Sequence, residues 1–584
     1  MNQISRAYSL LTTVSNLFEE GQDAALRWQR VASDNATKNL IIEVIKSPFH
    51  EHSLDEIAFE KEILKVLPVL RRLRACYSQP SKVFTGCLVE LSEILAPEHH
   101  IVLSDFNQQT LENLEGKKSL SSIMQDGPFQ EELSAFSDTL EKENPHALYP
   151  TSSYRESSGS VVSDKNDRTV EAVMSHHTYT SIRIEENIFN HSNNILRHVY
   201  GPLGRCICLI DSNVESHYRQ QIESYFQHFK ISIHIKSYRA MEVDKTLTVV
   251  EKILNDFKQH AVARNEPVLI IGGGVLADTG GLACALFNRN TPYIMIGSSI
   301  VSAIDAGPSP RTCCDGFGYK NLSGAYHAPI LTITDRLFFR TLRTGWLRHG
   351  IAEIIKMAVV KDYKLFQQLE EVGPDLFRTK FGTIKSDNNS NNSRIEEMSN
   401  KILGGAMRSY VEAEYDNLFE THQCRPHAYG HTWSPGFELQ AGLLHGHAVS
   451  VGMGLGAFLS YKKEWLDKKS LFRILQLISD FELSLWHEIL LDEKLLWKAH
   501  QSIIDKRGGN LVAPVPRGEI GKCGYINEMS RLELREGILE YQSICSNFAR
   551  GGVGIEPYCK DVGLEDPSEV LGSSHFSEQT KKQG

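Results

Sequence analysis

No stretch of this chain is apolar for long enough to span a bilayer. It has no dense block of lysine and arginine, and its formal net charge is −10, which argues against nucleic acid as a partner. An anionic substrate would need a local basic pocket set against that overall charge. The 11 cysteines are an odd number and form no CxxC pair, and the adjacent Cys313 and Cys314 are poorly placed to bridge each other. Reduced thiols and a cytoplasmic setting are therefore expected. The opening MNQISRAYSLLTTVSNLFEEGQD lacks the basic-then-apolar order of a secretory signal. Its early acids Glu19, Glu20 and Asp23 also speak against an organelle transit peptide.

The length, 584 residues, predicts more than one domain. Residues 1–150 read as a mostly helical extension of unassigned role. In it LDEIAFEKEILKVLPVLRRLR (54–74) spaces apolar residues at a helical period, with acids early and arginines late. Residues 151–180 are Ser-rich and polar, the composition of a linker. From about 181 to 340 strands alternate with helices: RCICLID (205–211), 230–235, PVLIIGGG (267–274) and TPYIMIG (291–297) read as strands, and 246–260 as a helix. That rhythm predicts an α/β domain with a parallel sheet. From 341 to 571 the chain reads as helical, beginning with one run over 346–371 and interrupted by the loop DNNSNNS (387–393). Residues 572–584 read as a disordered tail.

Four features carry chemistry. Gly272, Gly273 and Gly274 end a strand and open a helix, with Asp278, Gly280 and Gly281 following. Such a turn brings bare backbone N–H groups to a phosphate. It is not the GxGxxG fingerprint, and alone it reads as a tight strand-to-helix turn. Glu353 and Lys356, three apart in RHGIAEIIKMAVV, share a helical face flanked by apolar residues. A buried Glu and Lys need a partner or a metal. His427, His431, His445 and His447 crowd a glycine-rich stretch that fits a zinc site of two imidazoles and a carboxylate. The pattern is not HExxH, so the carboxylate must come from elsewhere, and Glu353 is the candidate. Finally, Arg311, Lys320 and Asn321 lie in IDAGPSPRTCCDGFGYKNLSGAYHAP, read as a loop suited to phosphate.

In this order, these pieces resemble the dehydroquinate-synthase-like sugar phosphate cyclases over residues 190–570. GGGVLADTGGLACALFNRNTPYIMIGSSIVSAID is similar to the family's dinucleotide segment, HGIAEIIKMAVV to its metal-glutamate helix, and AYGHTWSP and HGHAV to its two metal-histidine segments. The resemblance implies a Rossmann-like parallel-sheet NAD domain followed by an all-helical metal and substrate domain. It implies NAD and a divalent metal, zinc with cobalt as the alternative, held by Glu353, His431 and His445. Asp211, Asn213, Glu242, Lys245, Gly273, Gly274, Val275, Asp278, Ser298, Ser299, Asp305 and Lys320 would line the NAD site. Asp305, Arg311, Lys320, Asn321, Lys356 and Lys506 would face the substrate. Arg289 would reach the phosphate of a neighbouring subunit, implying a homodimer acting on a small sugar phosphate, with no membrane and no nucleic acid involved.

Pro435 stands where dehydroquinate synthases carry a second histidine, as in the branch that cyclises sedoheptulose 7-phosphate to C7 cyclitols. Ala428 is similar to the gadusol-forming members and differs from the Asp of valiolone-forming ones. The departures are Gly297-Ser298-Ser299 for PTT, Arg311 for a lysine, KNLSG for KNRLG, and His447 for a glutamate in HGEAV. They are expected to cluster around the substrate. The alternatives are a valiolone-forming or dehydroquinate-forming cyclase, a glycerol-dehydrogenase-like alcohol dehydrogenase, or a degenerate cyclase kept for binding.

Overall fold

The computed structural model describes residues 155–163, 170–178 and 180–564, apart from positions 202, 265, 317, 318, 385–391, 421, 422 and 508. The helical reading of 1–150, most of the DNNSNNS loop and the 572–584 tail lie outside the described residues. Within the stretch read as a linker, strands β1 (Arg155–Ser163) and β2 (Val170–Thr178) pair antiparallel as a hairpin. The body from Ile182 onward is a second compact unit and contains every site residue named above.

The body opens on a six-stranded sheet: β3 (Ser181–Glu185), β4 (Arg205–Asp211), β5 (Ser232–Tyr238), β6 (Val268–Gly272), β7 (Tyr293–Gly297) and β10 (Leu331–Asp335), in the order β3-β10-β7-β6-β4-β5. The pairs β10–β7, β7–β6, β6–β4 and β4–β5 are parallel. VLIIG, YIMIG and LTITD are buried throughout, the signature of central parallel strands covered on both faces. SIHIKSY alternates apolar with polar because β5 is the edge strand. It begins two residues later than the sequence predicts, since Lys230 takes a left-handed conformation in the preceding turn.

Helices α2 (Ser212–His228), α3 (Leu247–Gln259) and α4 (Gly274–Leu286) pack on this sheet after the short α1 (Ile195–Tyr200). Asp211 caps α2 and Thr246 caps α3. Gly280 and Gly281 let α4 lie close: a Cβ would meet Ile270 Cδ1 at 2.9 Å from the first and Thr312 Cγ2 at 2.5 Å from the second. The segment carrying Arg311, Lys320 and Asn321 is not a loop. It is an antiparallel hairpin of β8 (Arg311–Gly316) and β9 (Tyr319–Tyr326), in contact with α4.

After α5 (Ile300–Ile304) and β10 the body turns helical. The predicted run over 346–371 is two helices, α6 (Thr344–Val360) and α7 (Tyr363–Val372), because Asp362 caps a new start. Every residue of α6 from Gly350 to Val360 is buried, so it is a core helix with no solvent face. Around it lie α8 (Asp375–Arg378), α9 (Asn392–Glu414), α10 (Ser434–Phe437), α11 (His445–Lys462), α12 (Lys468–Asp480), α13 (Glu493–Lys506) and α14 (Arg531–Cys545). One hairpin, β11 (Ala513–Arg517) with β12 (Glu519–Ile526), is inserted among these helices. Glycines let α11 press onto its neighbours: a Cβ on Gly446 would stand 2.2 Å from His349 O, and one on Gly452 the same distance from Gly430 O.

Candidate active site

Glu353 projects from α6, and His445 opens α11, which packs against it. His431 follows the turn Pro426–Ala428. These three segments bring one ligand atom each to within 4.8 Å of one another. His431 Nε2 and His445 Nε2 are 3.2 Å apart, and Glu353 Oε1 is 3.7 Å and 3.4 Å from them.

The surroundings fix how each ligand faces the centre. His431 Nδ1 donates to Tyr429 O at 3.1 Å and His445 Nδ1 to Glu438 Oε2 at 2.8 Å. Both Nε2 atoms are thereby turned to the centre. Glu353 Oε2 accepts from Tyr410 OH at 2.7 Å and faces Lys356 Nζ at 2.5 Å. Its Oε1 is buried with no hydrogen-bond partner. An orphaned carboxylate oxygen facing two imidazole nitrogens fits a divalent cation with nitrogen and oxygen ligands. Burial opposes ionisation of Glu353, but the Lys356 ammonium, helped by His445, outweighs it and holds the carboxyl well below its usual range. Burial and Lys356 push His431 down to about 3, so it is neutral; His445, against the effect of burial, is pushed up to about 10 by Glu438 and Glu353, so a cation entering here would displace the proton on its Nε2.

A series of charges, buried at Glu438 and Lys245 and about one-third exposed at Lys320 and Glu242, runs from this centre toward Asp278 on α4. Glu438 accepts from Lys320 Nζ at 3.1 Å, and Lys320 also pairs with Glu242 at 2.9 Å. Lys245 pairs with Asp278 at 2.5 Å and donates to Asn321 Oδ1 at 2.6 Å. Burial opposes the charge on both lysines, yet Glu438 and Glu242 keep Lys320 protonated, and Asp278 does the same for Lys245. Arg311 reaches Asp305 at 3.5 Å and is in direct contact with Glu414, which also accepts from Ser309 Oγ at 2.8 Å.

Gly273 caps α4, with Gly274 and Val275 in its first turn. A Cβ would meet only Ser299 Oγ at 3.7 Å from Gly273 and Ala306 Cβ at 3.6 Å from Gly274. The fold leaves room there, so packing does not demand these glycines as it does Gly280 and Gly281. Ser299 caps α5 through Ser302, Asp305 closes that helix, and Ser298 is buried beside it. Asn213 donates its N–H to Asp211 Oδ1 at 2.8 Å.

Several residues singled out in the sequence lie outside this cluster. Of the four histidines, His427 and His447 are not in the triad. His445 and His447, two apart on α11, point about 200° apart by helical geometry. His447 therefore turns to the core, where Nδ1 meets Ser484 Oγ at 2.9 Å, and its replacement of a glutamate does not border the substrate side. Arg289 is exposed in the turn after α4, and Lys506 is exposed at the end of α13, so neither is buried with the cluster. The sequence reading missed Glu438, Tyr410, Glu414 and His349. The last accepts from Gly446 N at 3.0 Å. Glu438 had a signal, since an acid following a histidine pair is a ready outer partner for a ligating imidazole. Tyr410 and Glu414 sit on α9, remote in sequence from every motif.

Models of the 3-dehydroquinate synthase N-terminal and C-terminal regions match residues 236–349 and 350–503. The chain is 36% identical over 375 residues to a demethyl-4-deoxygadusol synthase of Trichormus variabilis, covering 64% of this chain and 90% of that protein. It is 32% identical over 369 residues to a 2-epi-5-epi-valiolone synthase of Streptomyces albus, covering 62% and 88%. Among solved structures, a 2-epi-5-epi-valiolone synthase from Streptomyces hygroscopicus subsp. jinggangensis, with NAD+ and Zn2+ bound, matches with a TM-score of 0.58 and 29% identity over 63% of this chain and 98% of that one. With its parallel sheet, its helical half and these relatives, the chain belongs to the dehydroquinate-synthase-like sugar phosphate cyclases.

Proposed function

We propose that this protein cyclises sedoheptulose 7-phosphate to a C7 cyclitol, with a gadusol-type product favoured over a valiolone-type one. The convergence of Glu353, His431 and His445 beside Lys356, Lys320 and Arg311 carries this reading. Ala428 and Pro435 in AYGHTWSP support the branch. Glu353, His431 and His445 would hold the divalent ion, and the room over Gly273 and Gly274 would admit a dinucleotide phosphate. When bound, NAD supplies a hydride acceptor and donor and the ion supplies Lewis acidity toward a ring alcohol and its ketone. Lys356 Nζ and Lys320 Nζ, both fixed by buried carboxylates, place positive charge where the leaving phosphate and an enolate-like oxygen need it. Arg311, steered by Asp305 and Glu414, orients the polyol. Arg289, exposed and unburdened by the cluster, would serve the site of a second subunit in a homodimer.

The test is phosphate release from sedoheptulose 7-phosphate with NAD and Zn2+, followed by the product's mass. Glu353→Gln and His431→Ala should reduce release to background while far-UV circular dichroism stays unchanged. Near-normal turnover in either variant would remove the metal assignment.

A further inference from the structure

A buried tyrosine needs an acceptor for its hydroxyl, and several here take a backbone carbonyl. Tyr225 donates to Asn193 O at 2.8 Å, Tyr293 to His327 O at 3.0 Å, Tyr429 to Met453 O at 2.6 Å and Tyr541 to Leu485 O at 2.9 Å. Tyr410, buried on α9, differs from these four. It donates to Glu353 Oε2 at 2.7 Å. The same oxygen faces Lys356 Nζ at 2.5 Å, and that ammonium lies 4.8 Å from the centroid of the Tyr410 ring. Hydroxyl, carboxylate and ammonium thus close on one another, and all three side chains are buried. The arrangement divides the two oxygens of Glu353. Oε2 is engaged by a phenol and an ammonium, whereas Oε1 has no hydrogen-bond partner and faces His431 Nε2 and His445 Nε2. The packing of α9 against α6 sets this from far away in sequence. Glu414, one turn after Tyr410 on the same face of α9, contacts Arg311.

We infer that Tyr410 is a positioning residue for the metal carboxylate: its hydroxyl holds Glu353 by Oε2, so that Oε1 alone is presented to the ion. This rests on the metal assignment made above. A carboxylate that offers one oxygen leaves more of the ion's coordination positions open, as a site that must admit a substrate alcohol requires. A carboxylate free to turn could bind through both oxygens and fill one of those positions. The phenol suits the task because it donates to the carboxylate without adding charge. It also stands behind the ligand, on the oxygen that the two imidazoles do not face, so it orients the site without entering it.

The experiment compares Tyr410→Phe with the wild type and with Tyr541→Phe, a control that removes a buried hydroxyl bonded only to backbone. Three quantities are read: melting temperature without metal, zinc affinity by chelator competition, and the visible absorption spectrum of the Co2+-loaded protein. Tyr410→Phe keeps the ring face under Lys356 and removes the hydroxyl alone. Its zinc affinity should fall about tenfold, the effect of losing an outer partner. Its Co2+ bands should shift and weaken as Oε2 is released toward the ion, since such bands lose intensity when coordination number rises. Tyr541→Phe should lower the melting temperature while its zinc affinity stays within twofold of wild type and its Co2+ spectrum is unchanged. A merely structural Tyr410 would behave like that control. Zinc affinity of Tyr410→Phe within twofold of wild type, or a Co2+ spectrum that does not move, overturns the inference. If the wild type binds zinc and releases no phosphate from sedoheptulose 7-phosphate, the cyclase reading fails alone, and the two metal readouts still decide Tyr410. A wild type that binds neither ion removes the metal assignment and the inference with it.

Discussion

Glu438→Gln perturbs the site without touching a metal ligand. The native carboxylate accepts from His445 Nδ1 at 2.8 Å and faces Lys320 Nζ at 3.1 Å. The amide oxygen can still accept from one of these, but the negative charge is gone. His445 then loses the partner that orients it and raises its basicity, and Lys320 keeps only Glu242. Loss of such an outer partner lowers metal affinity by about 10- to 100-fold, or about 1.4 to 2.7 kcal/mol at 25 °C. Competition with a chromogenic chelator at fixed pH measures the change directly. Stability of the metal-saturated variant should fall by much less, since the hydrogen-bonding shape is kept. A zinc affinity within twofold of wild type would refute the argument that Glu438 sets the basicity of His445.

Two glycines separate cofactor space from packing. Gly281→Val should destabilise the fold by about 1 to 3 kcal/mol, seen in urea unfolding, because its Cβ collides with Thr312. Gly273→Ala should unfold like the wild type yet bind NAD at least about tenfold more weakly by calorimetry, since the methyl enters only open space. Glu414 is driven toward protonation by burial, which outweighs Arg311. Its folded-state pKa therefore lies above the unfolded one, and the wild type should lose stability as pH rises from about 4.5 through the folded value. Glu414→Gln keeps the acceptor for Ser309 and should flatten that part of the stability profile; an unaltered profile would show that Glu414 does not titrate there.

Four of the six strands were legible, β4, β6 and β7 because they are apolar runs and β5 because its pattern alternates, whereas β3 and the internal strand β10, whose LTITD mixes threonine with leucine and isoleucine, were not singled out. The metal triad was legible for a different reason. A Glu on an apolar helix and histidines among glycines are chemically conspicuous even before they are brought together. What the sequence did not disclose depends on direction. His445 and His447 look equivalent in HGHAV, yet the helical rotation sends one to the cluster with Glu353 and His431 and the other to Ser484. Arg311 and Lys320 look like loop residues because Gly and Pro surround them, but strand pairing across β8 and β9 decides their place. Tyr410 and Glu414 carry no local signal, and only the packing of α9 against α6 brings them in.

Lys320 stands on a hairpin of the sheet half, between Glu242 of that same half and Glu438 of the helical half. Cutting the chain near residue 349 would leave Glu438 in one fragment and Lys320 in the other, each without this partner. Lys320 is 31% exposed in that pair, so its loss alone is modest; the larger loss is that Ile300, Ala303 and Ile304 of α5, buried in one core with the helical half, would be uncovered. The two halves should therefore melt in a single transition and fail as separately expressed pieces, although their regions match two separate family models.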